Sequence, residues 1–353
     1  MINNSLKSIK KGLVIGVLIL ITAMSSHADA KTLKLYALYS KEGVVTKGLF
    51  EAAEEIEKRT NGSVKIKVYP DGQLCGWEDV TEEVRQGTID IASVNMTKRD
   101  HKKLDLLCLP SIAPLGYKQL ERMAWDGDSI LRQEIDSVIN TMNLHSLGPW
   151  IEPPATLVFR KDGRPDNFTD FNNKKKKIRV VAMPMMKEAF TMMGYQTVTI
   201  AWAEVMSALQ TGQVDGSSGF TFESAALVGK DIIKHIDNNR VQQPLGWMII
   251  NADVWKGFTP EEQKIVKEVF DKHSRKTLKA SSDEDLMYAE QLKKHGIEIF
   301  NYTDEEYVKL AKFIRKNIWT KHYSELGENT MKKIAARMDM VEKEITEANK
   351  KKK

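Results

Sequence analysis

Apolar positions along this chain follow two alternating rhythms. Residues 32–38 alternate polar and apolar, with Leu33 and Leu35 leading to Tyr36, which predicts a strand. Over 46–59 the spacing becomes helical: Leu49, Phe50, Ala53 and Ile56 share one face, opposite Glu51, Glu54, Glu55 and Lys58. Asn61-Gly62 supplies the turn that ends such a helix. Val64, Ile66 and Val68 then alternate with Lys65 and Lys67 as a half-buried strand, stopped by Pro70-Asp71-Gly72. A helix over 78–85, closing at Gly87, and a strand over 89–94 complete a compact α/β unit.

The same alternation returns over 174–223. Four lysines lead into the β-branched run Ile178-Arg179-Val180-Val181. A helix over 184–193 ends at Gly194, and a second apolar run, Val198-Thr199-Ile200, follows. Another helix over 202–210 leads to the turn Gly212-Gln213-Val214-Asp215-Gly216. An arginine inside a strand of this kind needs an anion, because an unpaired buried charge is costly. That anion is either a structural carboxylate, with Glu188 and Glu204 as candidates, or a ligand. Helical patterning resumes at Pro260 and runs toward His295. Ile297 to Phe300 predicts a last strand, and Thr303-Asp304-Glu305-Glu306 an acidic helix start. Met331, Ile334, Ala335, Met338, Val341 and Ile345 recur at helical spacing, a stripe suited to packing. Connections between the two units are expected over 149–160, with Pro153-Pro154, and over 244–248.

The N-terminus stands apart from this pattern. Lys7, Lys10 and Lys11 precede an apolar stretch, 12–24, that is short for a membrane span. Ala28-Asp29-Ala30 follows as a small-residue cleavage site, so 1–30 reads as a cleavable signal peptide and export to the periplasm is expected. Its removal takes three lysines and one aspartate, lowering the net charge from +5 to +3. The lysine clusters at 174–177 and 350–353 lack interleaved aromatics and read as solvated segments, not as a nucleic-acid surface. The remaining composition, 42% hydrophobic and 29% charged, is that of a globular protein long enough for two cores. Cys75 and Cys108 suit either a disulfide or two buried thiols.

Signals for catalysis are weak. Gly216-Ser217-Ser218-Gly219 misses the spacing of a nucleophile elbow. His101, His145, His235, His273, His295 and His322 are scattered, without a metal-ligand pair at helical spacing. No glycine-rich phosphate loop follows a strand. An exported α/β hydrolase is therefore the weaker reading; no enzyme activity, cofactor or metal is expected.

The ordered motifs resemble those of a known family. Phe50-Glu51-Ala52-Ala53-Glu54-Glu55-Ile56, Val68-Tyr69-Pro70-Asp71-Gly72-Gln73-Leu74 and Glu82-Glu83-Val84-Arg85-Gln86-Gly87 look like the first domain of DctP-type substrate-binding proteins of TRAP transporters. Lys177-Ile178-Arg179-Val180, Ile200-Ala201-Trp202-Ala203-Glu204 and Gly212-Gln213-Val214-Asp215-Gly216 look like its second domain, and Asn251-Ala252-Asp253-Val254-Trp255 like its return crossing. The resemblance implies an α/β, two-domain periplasmic-binding-protein fold with a ligand cleft, a hinge and a long bracing helix. The expected division is 31–156 plus 246–284 and 157–245 plus 285–345, with a lysine-rich tail at 346–353. The resemblance places Arg179 at the family's carboxylate-binding arginine and Arg160 near a second polar contact. Two arginines in the cleft would suit a dicarboxylate; an outward Arg160 would suit a monocarboxylate with an apolar body. Relatives carry an acidic residue after the Val-Asp-Gly turn where this chain has Ser217-Ser218-Gly219-Phe220, which argues against a metal-assisted site. Tyr36, Tyr39, Trp150, Trp202, Gly219, Phe220, Trp247 and Asn95 are the further cleft candidates. The implied partners are a small-molecule carboxylate and TRAP membrane permease subunits, and a monomer is expected. A receptor serving a sensor kinase or another transporter type is the alternative.

Overall fold

The computed structural model describes residues 32–126, 129–243 and 245–351. The expected signal peptide and Pro244 lie outside the described residues. Two mixed sheets carry the architecture, and each takes its strands from more than one stretch of chain. The first sheet has the order β2-β1-β3-β10-β4, with β1 Thr32–Tyr36, β2 Lys65–Tyr69, β3 Ile91–Val94, β4 Leu144–Pro149 and β10 Trp247–Asn251. Strand β1 is parallel to β2 and β3, while β10 runs antiparallel to β3 and β4. The second has the order β11-β9-β5-β8-β6-β7: β5 Ala155–Arg160, β6 Lys177–Val180, β7 Gln196–Thr199, β8 Gly216–Phe220, β9 Ile233–Gln242 and β11 Glu298–Asn301.

The predicted strand–helix alternation forms at both sheets. Helix α1, Val44–Arg59, begins two residues before its patterned stretch and buries Leu49, Ala52, Ala53 and Ile56 against the first sheet. Strand β6 is flanked on both sides by parallel partners, β7 and β8, which is why Ile178, Arg179 and Val180 are all buried. Two expected connections carry strands instead. Residues 149–160 were expected to connect, yet β5 occupies 155–160 at the middle of the second sheet. Its continuous apolar run is the pattern of a strand covered on both faces, and Pro153-Pro154 only set its start. Likewise 244–248 runs into β10, which begins at Trp247.

One uninterrupted helix, Pro260–Lys294, touches both sheets. A capping box of Thr259 and Glu262 starts it, and its 35 residues span about 52 Å. Near its start, Ile265, Val266, Val269 and Phe270 join the core under α1; near its end, Leu292 joins the core under β9. The C-terminal helices span the two units again. Tyr307, in the helix Asp304–Ile314, donates to the Asn238 carbonyl of β9 at 2.6 Å. The final helix, Glu328–Lys350, lies instead on the first unit's helices, with Thr330 donating to Glu134 at 2.9 Å. Its apolar stripe is packing: Met331, Ile334, Met338 and Val341 are buried. A two-pronged buried pair, Arg315 with Glu342 at 2.8 and 3.0 Å, ties this helix to the preceding one. The helix runs to Lys350, through part of the segment read as a tail.

Candidate functional site

Arg179 is 4% exposed and sits in register with Ser217 of β8. Its guanidinium is held by the backbone: Nε donates to the Ile200 carbonyl at 2.9 Å and Nη1 to the Ser218 carbonyl at 3.0 Å. These acceptors are neutral, so they orient the charge without cancelling it. No ion pair joins Arg179 to a carboxylate among the described residues. Glu188, one candidate partner, is engaged by His322 at 3.1 Å and Lys321 at 3.8 Å. Burial lowers the Arg179 pKa to about 10 while Glu78 pulls it up, which leaves the side chain charged at neutral pH. The Trp202 ring, 42% exposed, lies 5.7 Å from its guanidinium carbon, within cation–π range.

The Gly-Ser-Ser-Gly run of β8 makes this arrangement possible. Gly219 has φ of +97°, and a Cβ there would stand 3.1 Å from Arg179 Nη1. The Ser218 hydroxyl is buried without a partner, as is Oε1 of Gln242 at the end of β9. Gln242 Nε2 lies 3.8 Å from the position of that same Cβ, so Gln242 belongs to the Arg179 group.

A second polar group forms at the strand ends of the first sheet. Tyr36 closes β1 and Asn95 follows β3, both at carboxyl ends of parallel strands, where open α/β sheets bind ligands. Between them sits Glu152, 2% exposed, on the crossing from β4 to β5. Its Oε2 accepts from Tyr39 Oη at 2.5 Å and from Asn95 Nδ2 at 2.8 Å. Burial pushes the Glu152 carboxyl up to about 6, and these two hydrogen bonds pull it back. A carboxylate can only accept, so the Asn95 amide must present Nδ2 to it, leaving Asn95 Oδ1 buried and unpartnered. The Tyr36 hydroxyl is also buried without a partner. Burial raises its pKa first, with Cys75, Glu152 and Glu78 adding to the shift. Glu78 acts on Arg179 as well, so it lies in electrostatic reach of both groups.

Other expected site residues fall elsewhere. The register of β5 carries Arg160 past Phe159 and Gly216, to the strand end opposite the Thr156–Phe220 pair. There its guanidinium lies 3.9 Å from Asp215 and close to Gly212, away from the Arg179 group. Trp150 is fully buried under the long helix, edge-on to Phe270 at 6.2 Å. Trp247 is equally buried, its indole N–H donating to Ser146 at 2.8 Å and Asp136 at 3.0 Å. Both tryptophans are core residues, because a strand beginning or ending in a crossing still buries its largest side chains. Phe220 is buried with its ring 4.9 Å from that of Trp202, and so backs the site from behind. Cys75 and Cys108 are free thiols, and burial pushes the former up to about 11. Glu152, Glu78 and Gln242 are the additions that sequence reasoning missed. No group of three or more His, Cys, Asp or Glu among the described residues is placed to hold a metal. A cavity of about 290 Å³ beside the long helix includes Tyr117, Arg240 and Asp285, but not Arg179 or Glu152. Its polar groups already satisfy each other, with Tyr117 donating to Asp285 at 2.7 Å and Arg240 to the Pro114 carbonyl at 2.9 Å.

Comparison with known proteins bears on this geometry. The family model for bacterial extracellular solute-binding protein, family 7 (DctP) matches residues 38–326. The ectoine-binding periplasmic protein TeaA of Halomonas elongata is 24% identical over 283 residues, covering 77% of this chain and 79% of the relative. The sialic acid-binding periplasmic protein SiaP of Vibrio cholerae is 25% identical over 345 residues, covering 94% of this chain and 100% of the relative. A TRAP periplasmic solute-binding protein from Desulfovibrio salexigens, solved with bound orotic acid, superposes with a TM-score of 0.77 at 16% identity, covering 88% of this chain and 99% of that one. Two sheets, a helix common to both, and a family match across most of the described chain agree. This chain belongs to the DctP family, bacterial extracellular solute-binding protein family 7.

Proposed function

We propose that this protein captures an organic acid in a cleft between its two sheets, with Arg179 holding the ligand carboxylate. The observation that carries this reading is a buried arginine oriented by two neutral carbonyls and left without a carboxylate partner among the described residues. A planar guanidinium fixed in this way suits two-pronged recognition of a carboxylate, which a lysine cannot reproduce. The names of relatives agree in chemical class: sialic acid and orotic acid are both carboxylic acids. Arg160 faces Asp215 and supplies no second cationic contact, which favours one carboxylate over two. Residues 31–156 with 246–284, joined by the final helix Glu328–Lys350 that packs on them, act as one lobe, and 157–245 with 285–314 as the other. The ligand enters between open lobes and closure completes its contacts. The loaded monomer, exported by removal of residues 1–30, then docks on a TRAP permease and releases its ligand.

A thermal-shift screen of the mature protein against organic acids tests the reading, since stabilisation follows ligand concentration over Kd. One or more monocarboxylates should raise the Tm, and Arg179→Ala should weaken their binding by roughly a hundredfold or more in calorimetry while the protein stays folded. Unchanged affinity in that variant would sink the claim. Silence toward all acids, with a response to sugars or amines, would sink it equally.

A further inference from the structure

We propose that the ligand is a zwitterion, its carboxylate on Arg179 and a cationic nitrogen held by Glu152 with Asn95. This rests on the carboxylate reading above and adds the other pole of the ligand.

Both donors to Glu152, the Tyr39 hydroxyl and the Asn95 amide, go to Oε2. Oε1 has no partner among the described residues, and it lies beside Gly246, 3.5 Å from where a Cβ would stand. Asn95 Oδ1 is buried and unpartnered, in the orientation that Nδ2 on Glu152 fixes. Both free oxygens can only accept. Buried acceptors left without donors are costly, so the group that completes this wall brings N–H or O–H donors. A ligand carrying only further acceptors, such as a second carboxylate, does the opposite.

Charge narrows the choice between nitrogen and hydroxyl. Arg179 and a ligand carboxylate cancel. Glu152 then remains as a buried anion whose two contacts are neutral donors, and no basic residue among the described ones pairs with it. Glu78, in reach of both groups, adds negative potential. A dicarboxylate would bring two negative charges to a site with one positive and one negative residue. A neutral sugar acid substituent would satisfy the acceptors but leave Glu152 uncompensated. An ammonium or amidinium does both, because a buried ion is tolerated when paired and hydrogen-bonded. The two poles also sit on different lobes, so a zwitterion would bridge them and favour the closed form by contacts absent from the open one.

Matched pairs of acids, differing in whether a nitrogen replaces carbon, test this on the full mature chain by calorimetry. Proline against cyclopentanecarboxylate, 4-aminobutanoate against pentanoate, and a cyclic amidine carboxylate against cyclohexanecarboxylate serve as probes, with succinate as the dianion. At least one nitrogen-bearing acid should bind about tenfold or more tightly than its carbon partner, and succinate should bind more weakly than that acid. Glu152→Gln keeps the shape and removes the charge; it should erase the preference, with the nitrogen-bearing acids losing about tenfold and the nitrogen-free acids binding no more weakly than before. Equal or tighter binding of the carbon partners or of succinate would overturn the proposal on the unmodified protein, whatever the variant does. So would a Glu152→Gln variant that weakens every acid alike, because that is the behaviour of a purely structural carboxylate. Binding of nitrogen-free acids that Arg179→Ala abolishes would leave the carboxylate reading standing and this one refuted. Binding of no acid at all would overturn both.

Discussion

The two charged groups proposed to face each other across the cleft are built by opposite means. On the second sheet, the charge sits within a strand, and neighbouring carbonyls of Ile200 and Ser218 hold it in one orientation. On the first, the charge sits on a crossing, and side chains from the β1–α1 loop and the end of β3 converge on it. A strand-borne cation fixed by backbone depends on few side-chain identities. A crossing-borne anion fixed by Tyr39 and Asn95 can be lost or moved by single substitutions. In the proposed receptor, the first arrangement meets the carboxylate every organic acid shares, and the second meets what distinguishes one acid from another.

The contrast can be broken experimentally, and the largest effect is expected on the arginine wall. Arg179→Lys keeps a positive charge but gives up the fork that meets Ile200, Ser218 and a carboxylate together. Calorimetry should show affinity falling by about 2–3 kcal/mol, roughly thirtyfold to 150-fold. Retained affinity would mean that charge alone suffices.

The glutamate wall makes a pH prediction of about 2 kcal/mol. Burial raises the Glu152 carboxyl from its ordinary 4.5 to about 6, so folding favours its protonated form. Below pH 4.5 the group is protonated in both states and has no effect; above pH 6 it is ionised in both and subtracts its full share, roughly 2 kcal/mol. Asp237 and Asp285 are raised to about 7 by burial and add a similar trend, so the comparison must be made against Glu152→Gln. Denaturant unfolding should show wild-type stability falling relative to the variant between pH 4.5 and 7. A constant difference across that range would count against the burial of an ionising Glu152.

Gly219→Ala should cost about 1–3 kcal/mol in stability, from its left-handed backbone and the Cβ pressed on Arg179 Nη1. Ligand affinity should fall with it if the two walls depend on an undisturbed guanidinium; stability loss with intact affinity would uncouple them. The smallest effect is expected at Trp202, whose exposed face over Arg179 contributes about 0.5–1 kcal/mol of cation–π interaction. Trp202→Leu should therefore weaken binding only a few-fold, read by the same calorimetry.

The walls also differ in how far the sequence reveals them. Arg179 is conspicuous because it interrupts a β-branched run, and Gly219 because small residues cluster beside it. Glu152 stands before Pro153-Pro154, in a stretch whose composition says only that the chain turns. Its burial comes from contacts with residues 57 and 113 positions away, Asn95 and Tyr39, which no local pattern encodes. Gln242 lies at the end of β9, where Asp237, Asn239 and a shifted register spoil the alternation that would identify a strand. Trp150 and Trp247 mislead for the converse reason, since their position near the crossings suggests the cleft while their bulk is used in the core. The long helix, by contrast, announced itself by helical patterning sustained from Pro260 toward His295.

That helix has a consequence for how such a receptor can change its ligand. The first sheet draws strands from both ends of the second sheet's main segment, and Pro260–Lys294 contributes core residues to each. Neither lobe can be lifted out as one contiguous piece of gene. Importing a ready-made half from a relative would require several separate crossovers, each landing inside a packed core. Retargeting is therefore channelled into point substitutions around a fixed frame, and a single residue on a crossing is the cheapest place to make one.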